Sequence, residues 1–320
     1  MEIFYLTASQ MLKMFAFIIL GYLLRKTKVL PENAYITMSR LETYIFVPAL
    51  TLHNWMTNCN VNTLRENFVL IIYGSVMILC AMVLSYPLSR LFVKNVDSSE
   101  GEYQRCIYKY AMTFSNTAYV GNVLVLGIWG SQTFFKYSMF MFGANLLCGS
   151  WGLFILIPKG RANGNVLKET LKRIFAPPFI ALFVGLFAGL FQVQQYLPDF
   201  AVDVLSEASA CMGPVAMLLA GVVIGGYDLK ELLTYKKVYV ASLMRLIVIP
   251  TCFIFVLQLL GTSMEIITFA LISFATPLGL NTVVYPASYG GDVKTGASMA
   301  VISHTLAVIT IPLMCLLFIG

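Results

Sequence analysis

Two runs of the chain place polar side chains and backbone breakers among apolar neighbours. One reads Ser115-Asn116-Thr117-Ala118-Tyr119-Val120-Gly121-Asn122, the other Thr276-Pro277-Leu278-Gly279-Leu280-Asn281-Thr282. Pro277 has no backbone donor, and its ring clashes with the preceding turn. Gly121 and Gly279 are expected to supply non-helical torsions. A helix that restarts after such a break points its N–H groups and positive dipole end at the break, an arrangement that favours an anion. The side-chain amides of Asn116 and Asn281 can donate to a carboxylate without burying a charge. Asn116, Thr117, Gly121, Asn122, Thr276, Pro277, Asn281 and Thr282 are therefore candidate solute ligands. Asn145 joins them, because it holds in the first half of the chain the place that His304 holds in the second. A single run of this kind would read as a Pro/Gly kink used for packing; two at corresponding positions favour a binding site.

The titratable residues in apolar surroundings are few. His304 either relays protons, having an unperturbed pKa near ~6.5, or is a neutral hydrogen-bonding core residue. Glu42 and Glu207 precede Pro48 and Pro214 at similar distances. Acids within a membrane are functional by default, so both stand with His304 as candidates for proton coupling. Both also lie towards span ends, where snorkelling or a salt bridge is the simpler account. Arg245 either attracts a solute carboxylate or pairs with an acidic neighbour, and the pairing is favoured. His53 and Trp55 read as interfacial residues.

Enzyme and cofactor chemistry find no footing. The chain has no HExxH, GxSxG, P-loop or pair of catalytic carboxylates. Its seven cysteines form no CxxC or metal-ligand spacing. No cofactor or metal is expected, and a coupling ion, if one is used, is a proton or sodium.

These residues need a membrane to hold them. Of 320 residues 59% are hydrophobic and 11% charged, with a mean hydropathy of +0.81, too little charge to cover a soluble surface. Spans are expected at 6–26, 35–56, 66–92, 103–129, 133–157, 171–194, 200–225, 236–260, 263–289 and 293–318. The first is a helix and not a leader, since it runs through Leu24 without a small-residue cleavage pattern. Three of the Lys and Arg residues (Lys13, Arg65 and Lys136) fall on one side, Arg245 lies inside a span, and the rest of the 21 gather on the other side. By the positive-inside rule both termini face outwards at the cell membrane, and the positive balance reflects topology, not nucleic-acid binding.

The halves repeat in order. Leu30-Pro31-Glu32 matches Leu197-Pro198-Asp199, Val47-Pro48-Ala49 matches Gly213-Pro214-Val215, Pro87 matches Pro250, and Phe114 to Thr117 matches Phe274 to Pro277. The offset shrinks slowly along the chain, as a duplication with small deletions leaves it. Five spans is an odd number, so the second copy (171–320) is inverted relative to the first (1–158), across a cytoplasmic linker at 159–170. The expected fold is an all-α membrane protein of ten transmembrane helices in two inverted five-helix repeats, with broken crossing helices 4 and 9. Inverted repeats suit alternating access.

The run from Ser115 to Asn122, the run from Thr276 to Asn281 followed by Tyr289-Gly290-Gly291-Asp292, and the segment Phe46-Val47-Pro48-Ala49-Leu50 resemble the auxin efflux carrier family. The resemblance implies a fold like that of bile acid symporters, with helices 1, 2, 6 and 7 as scaffold, a site for a homodimer contact, and helices 3–5 and 8–10 as the transport part. It implies elevator-type transport of organic anions: auxin in plants, malate, malonate or similar acids in bacteria. The short linker is similar to that of bacterial members. One departure concerns coupling, because the acidic residues that bind sodium in the crossing region of bile acid symporters have no counterpart here. The alternatives are an anion channel and a membrane sensor of organic acids.

Overall fold

The computed structural model describes residues 1–94, 96–158, 176–289 and 291–320, with side chains except at 287–289. The expected linker 159–170 and the first residues of the sixth expected span lie outside the described residues. What is described is nearly all helical. Its β-type pairing is a single antiparallel bridge, Ser115 with Leu278.

Helix α1 spans Glu2–Lys26. Helix α2 covers 34–58 and widens into a π-turn at Glu42–Phe46, just ahead of Pro48. Pro48 cannot donate to the carbonyl four residues back, and the wider turn absorbs the missing bond. Helix α3, Val61–Phe92, opens on a capping box in which Asn60 and Thr63 exchange side-chain and backbone hydrogen bonds. Helix α4, Ser99–Thr113, is capped by Ser98 and stops three residues short of the next helical turn. Helices α5 (117–129) and α6 (131–156) meet at Gly130, whose φ of 78° and ψ of −177° suit glycine alone.

Helix α7 is Pro177–Leu190 and α8 is Asp199–Gly225. Helix α9, Lys236–Leu259, repeats the device of α2, with a π-turn at Met244–Val248 ahead of Pro250. Helix α10, Met264–Ala275, is followed by a break, by α11 (Asn281–Tyr289) and by α12 (Lys294–Phe318).

Among the described residues, α1, α3, α8, α9 and α12 are long and apolar enough to cross a membrane. A sixth candidate is the pair Thr117–Phe140 and Phe142–Leu156, bent by 52°. Helices α7 and α10 are apolar but shorter. The outer surface is apolar too: α3 exposes Val69, Ile72, Val76, Leu79 and Val83. Such a surface fits lipid and not water. Helix α10 lies at the centre, with every residue from Ile266 to Ala275 buried.

Close backbone approaches fix two helix pairs. A Cβ on Gly21 would run into the Leu218 carbonyl, and one on Gly221 into the Ile18 carbonyl, so α1 and α8 touch backbone to backbone. Gly185 and Gly189 bring α7 onto Leu52, Trp55 and Cys59 of α2 in the same way. Small residues are the usual means of such contact in membranes, where apolar side chains gain nothing by leaving lipid.

Candidate functional site

The break after α4 and the break after α10 lie against each other. Asn116 donates its backbone N–H to the Pro277 carbonyl at 2.7 Å. Ser115 donates its hydroxyl to the Ser273 carbonyl at 2.6 Å and accepts from the Thr276 hydroxyl at 2.8 Å. A freed backbone group in a dry interior costs on the order of 1–3 kcal/mol if left bare, so each break is closed by groups from the other.

Helix α12 supplies a shelf beneath the crossing. Ser303 accepts the Leu278 N–H at 2.9 Å. The next residue, His304, is 3% exposed and lies 3.1 Å from the Asn116 amide nitrogen through Nε2. Its Nδ1 is 2.7 Å from the Ala300 carbonyl. A carbonyl only accepts, so Nδ1 carries the hydrogen and Nε2 of the neutral ring accepts from Asn116. Of the two readings open for His304, this is the geometry of the hydrogen-bonded core residue.

On the other side of the break, Asn281 donates from its amide to the Tyr110 hydroxyl at 2.8 Å and lies 3.8 Å from the Cys148 sulfur. Thr282 turns its hydroxyl back to the Gly279 carbonyl. Thr117 and Asn122 are half-buried and make no side-chain hydrogen bond among the described residues. Val120 and Gly121 donate to the Asn116 carbonyl, whereas the N–H groups of Thr117, Ala118 and Tyr119 find no acceptor among the described residues. The first turn of α5 thus holds open donors of the kind an anion uses.

Several expectations are corrected. Gly279 lies outside any helix, in the break, as expected, whereas Gly121 does not supply a non-helical torsion; among the described glycines positive φ occurs at Gly130 and Gly261. Gly121 is helical and buried, and a Cβ there would lie 2.6 Å from the Tyr137 hydroxyl, so close packing is what requires glycine. Asn145 is exposed and hydrogen-bonds to nothing in the crossing. The pairing of spans that likened it to His304 does not carry over to side-chain placement. Glu42 neither snorkels nor forms a salt bridge: it is 0% exposed, and neither carboxyl oxygen has a partner among the described residues. Glu207 is exposed on α8. Arg245 forms no ion pair with an acidic residue among the described residues. It donates to the Met112 carbonyl at 3.1 Å and the Ser273 carbonyl at 3.4 Å, with its guanidinium 5.0 Å above the Phe274 ring.

Tyr110, Cys148, Ser273 and Ser303 were not expected at the site. They come from four different helices, and no spacing in the sequence brings them together. A cavity of about 170 Å³ reaches His304 along the seam of α1, α8 and α12, lined also by Phe15, Ile18, Tyr22 and Ile224. A larger cleft of about 360 Å³ opens near the ends of α3, α4 and α9 and carries Gln104, Lys236 and Lys237.

No curated protein matches the chain. A family model described as membrane transport protein matches residues 6–169 and 164–315, nearly the whole length. Proteins of this family are transporters and not enzymes, and the apolar helices make this one a multi-pass membrane protein. The chain therefore belongs to the membrane transport protein family, the family that contains the auxin efflux carriers.

Proposed function

We propose that this protein is a secondary carrier for small organic anions, mono- or dicarboxylates such as malonate or malate, and that the solute sits at the crossing of the two breaks. The observation that carries the reading is the crossing itself: two interrupted helices joined break to break, amides at Asn116 and Asn281, and open N–H donors at the start of α5. The basic cleft with Lys236 and Lys237 would gather anions from the cytoplasmic side.

In this reading the chain spans the membrane ten times as two inverted repeats, with both termini outside. The close approaches at Gly21 and Gly185 support it, because each meets the carbonyl at the corresponding position of the other repeat, Leu218 and Leu52. Helices α1, α2, α7 and α8 form the scaffold, the face for a homodimer. The remaining helices carry the solute across by an elevator-type movement along that scaffold. The cavity at the seam of α1 and α12 is where such a movement would open a path to His304.

The test is uptake of labelled malonate and malate by proteoliposomes holding the purified protein. Saturable uptake that falls at least tenfold with Asn116→Ala or Asn281→Ala is expected. Conductance in planar bilayers far above carrier turnover would make the protein a channel instead. Unaltered uptake in both variants would remove the solute from the crossing.

A further inference from the structure

Arg245 sits in the π-turn of α9 and is 1% exposed. A buried cation normally has a carboxylate beside it, because the desolvation cost is otherwise several kcal/mol. Here two carbonyls take that place, those of Met112 and Ser273. In an unbroken helix, the Met112 carbonyl would receive the N–H of Asn116, which goes instead to Pro277. The Ser273 carbonyl would receive the N–H of residue 277, which is a proline. These are carbonyls that the two breaks release, one at the C-terminal end of α4 and one at that of α10. Each such end carries a partial charge of about −0.5. One guanidinium answers both.

We propose that Arg245 sets the charge preference of the crossing. Four helix ends meet there. The N-terminal ends of α5 and α11 are positive, and the C-terminal ends of α4 and α10 are negative by a similar amount. Without Arg245 they would nearly cancel, and the site would not discriminate by sign. With the negative ends neutralised, the field at the breaks is that of the two positive ends, and it admits an anion. Arg245 need not touch the solute. It acts through the carbonyls it holds and is a positioning residue that determines specificity. The inference rests on the solute binding at the crossing.

Cys148 provides a probe that does not depend on knowing the solute. Its sulfur is 3.2 Å from the Tyr110 hydroxyl and 3.8 Å from the Asn281 amide, so a thiol reagent that reaches it samples the potential of the site. The experiment uses the full chain in liposomes with Cys148 as the sole cysteine. It compares the rates of modification by anionic sulfonatoethyl and cationic trimethylammonioethyl methanethiosulfonate. Their ratio, normalised to a free thiol, cancels the reactivity of Cys148 itself.

The anionic reagent is expected to be favoured. In Arg245→Gln and Arg245→Met the ratio is expected to fall by about tenfold or more, the scale of removing a unit charge from a low-dielectric site. Arg245→Met keeps an apolar stem against Phe274, and apolar replacements of buried charges are often tolerated. Arg245→Lys is expected to hold the ratio within about twofold while lowering thermal stability, since an ammonium cannot fork across two carbonyls. A ratio unchanged in the Gln and Met variants would make Arg245 a structural cap and overturn the proposal. If the ratio shifts but the parent takes up no labelled malonate, the solute assignment fails and the role of Arg245 stands.

Discussion

The contact between Asn116 and His304 is the most informative place to perturb this molecule. Both side chains are nearly enclosed, at 4% and 3% exposure, and they meet at 3.1 Å. Asn116→Ala removes the amide but keeps the backbone N–H, so the bond to the Pro277 carbonyl survives and the break stays closed. The variant leaves Nε2 of His304 bare. His304→Ala leaves the Asn116 amide bare, but the Ala300 carbonyl keeps its own helical N–H partner. Asn116→Ala should thus lose one buried hydrogen bond and His304→Ala two, each should strand one group at about 1–3 kcal/mol, and each should open a cavity that adds more for the larger imidazole. Losses of roughly 2–4 kcal/mol follow, with His304→Ala the larger. Hydrogen bonds within membranes couple by ~0.6 kcal/mol on average and up to ~1.7 kcal/mol. The double variant should fall short of the summed losses by about 1–2 kcal/mol, because each single loss counts a stranded partner. The assay is reversible unfolding of the purified protein in mixed micelles titrated with dodecyl sulfate, followed by circular dichroism. Additivity within ~0.3 kcal/mol would mean that the two side chains do not depend on each other, and would refute the placement of His304 as the partner of Asn116.

Other perturbations are sharper in sign than in size. Ser115→Ala strips the Ser273 carbonyl of its closer donor and the Thr276 hydroxyl of its acceptor, and should destabilise by about 1–3 kcal/mol in the same unfolding assay. Gly221→Leu drives a side chain into the Ile18 carbonyl and should abolish the folded monomer peak in gel filtration, whereas Gly261→Ala, which meets no atom and costs only about 1–2 kcal/mol for its positive φ, should leave the peak in place. Glu42→Gln should leave the unfolding midpoint unchanged or raised, since a bare buried carboxyl gains nothing from charge; a loss above ~2 kcal/mol would reveal a partner for it. Asn145→Ala should leave labelled-malonate uptake within about twofold of the parent, because its side chain is exposed and makes no hydrogen bond to the crossing among the described residues.

Much of the architecture was readable before any coordinates. Hydropathy requires no tertiary context, so apolar helices were visible as such, and the family follows from motifs on single segments. The two breaks were readable for the same reason: a missing N–H at Pro277 and a cluster of polar residues around Asn116 act on their own turns. The details of the breaks were less so. Gly121 was read for its torsional freedom, yet what decides that position is the Tyr137 hydroxyl on α6, a neighbour that local sequence does not announce. The glycine that turns the chain between α5 and α6 is Gly130, which falls in the gap between the expected spans 103–129 and 133–157.

Charge pairing was the least legible. Arg245 was expected to find an acid and found two carbonyls, and Glu42 was expected to reach water or a cation and reached neither. A sequence shows which residues carry charge. It does not show which backbone groups will lose their helical partners, because that depends on two breaks far apart in the chain coming into contact. The sequence by itself determined that the chain is apolar, helical and interrupted at Asn116 and Pro277, since each of these is a property of one segment. Only the tertiary structure decided that the interruptions close on each other, that His304 and Arg245 attend them, and that Asn145 does not. The physical reason is that a hydrogen bond or a helix-end charge is satisfied by whatever lies within about 3 Å, and across many helices that proximity is set by packing and not by order along the chain.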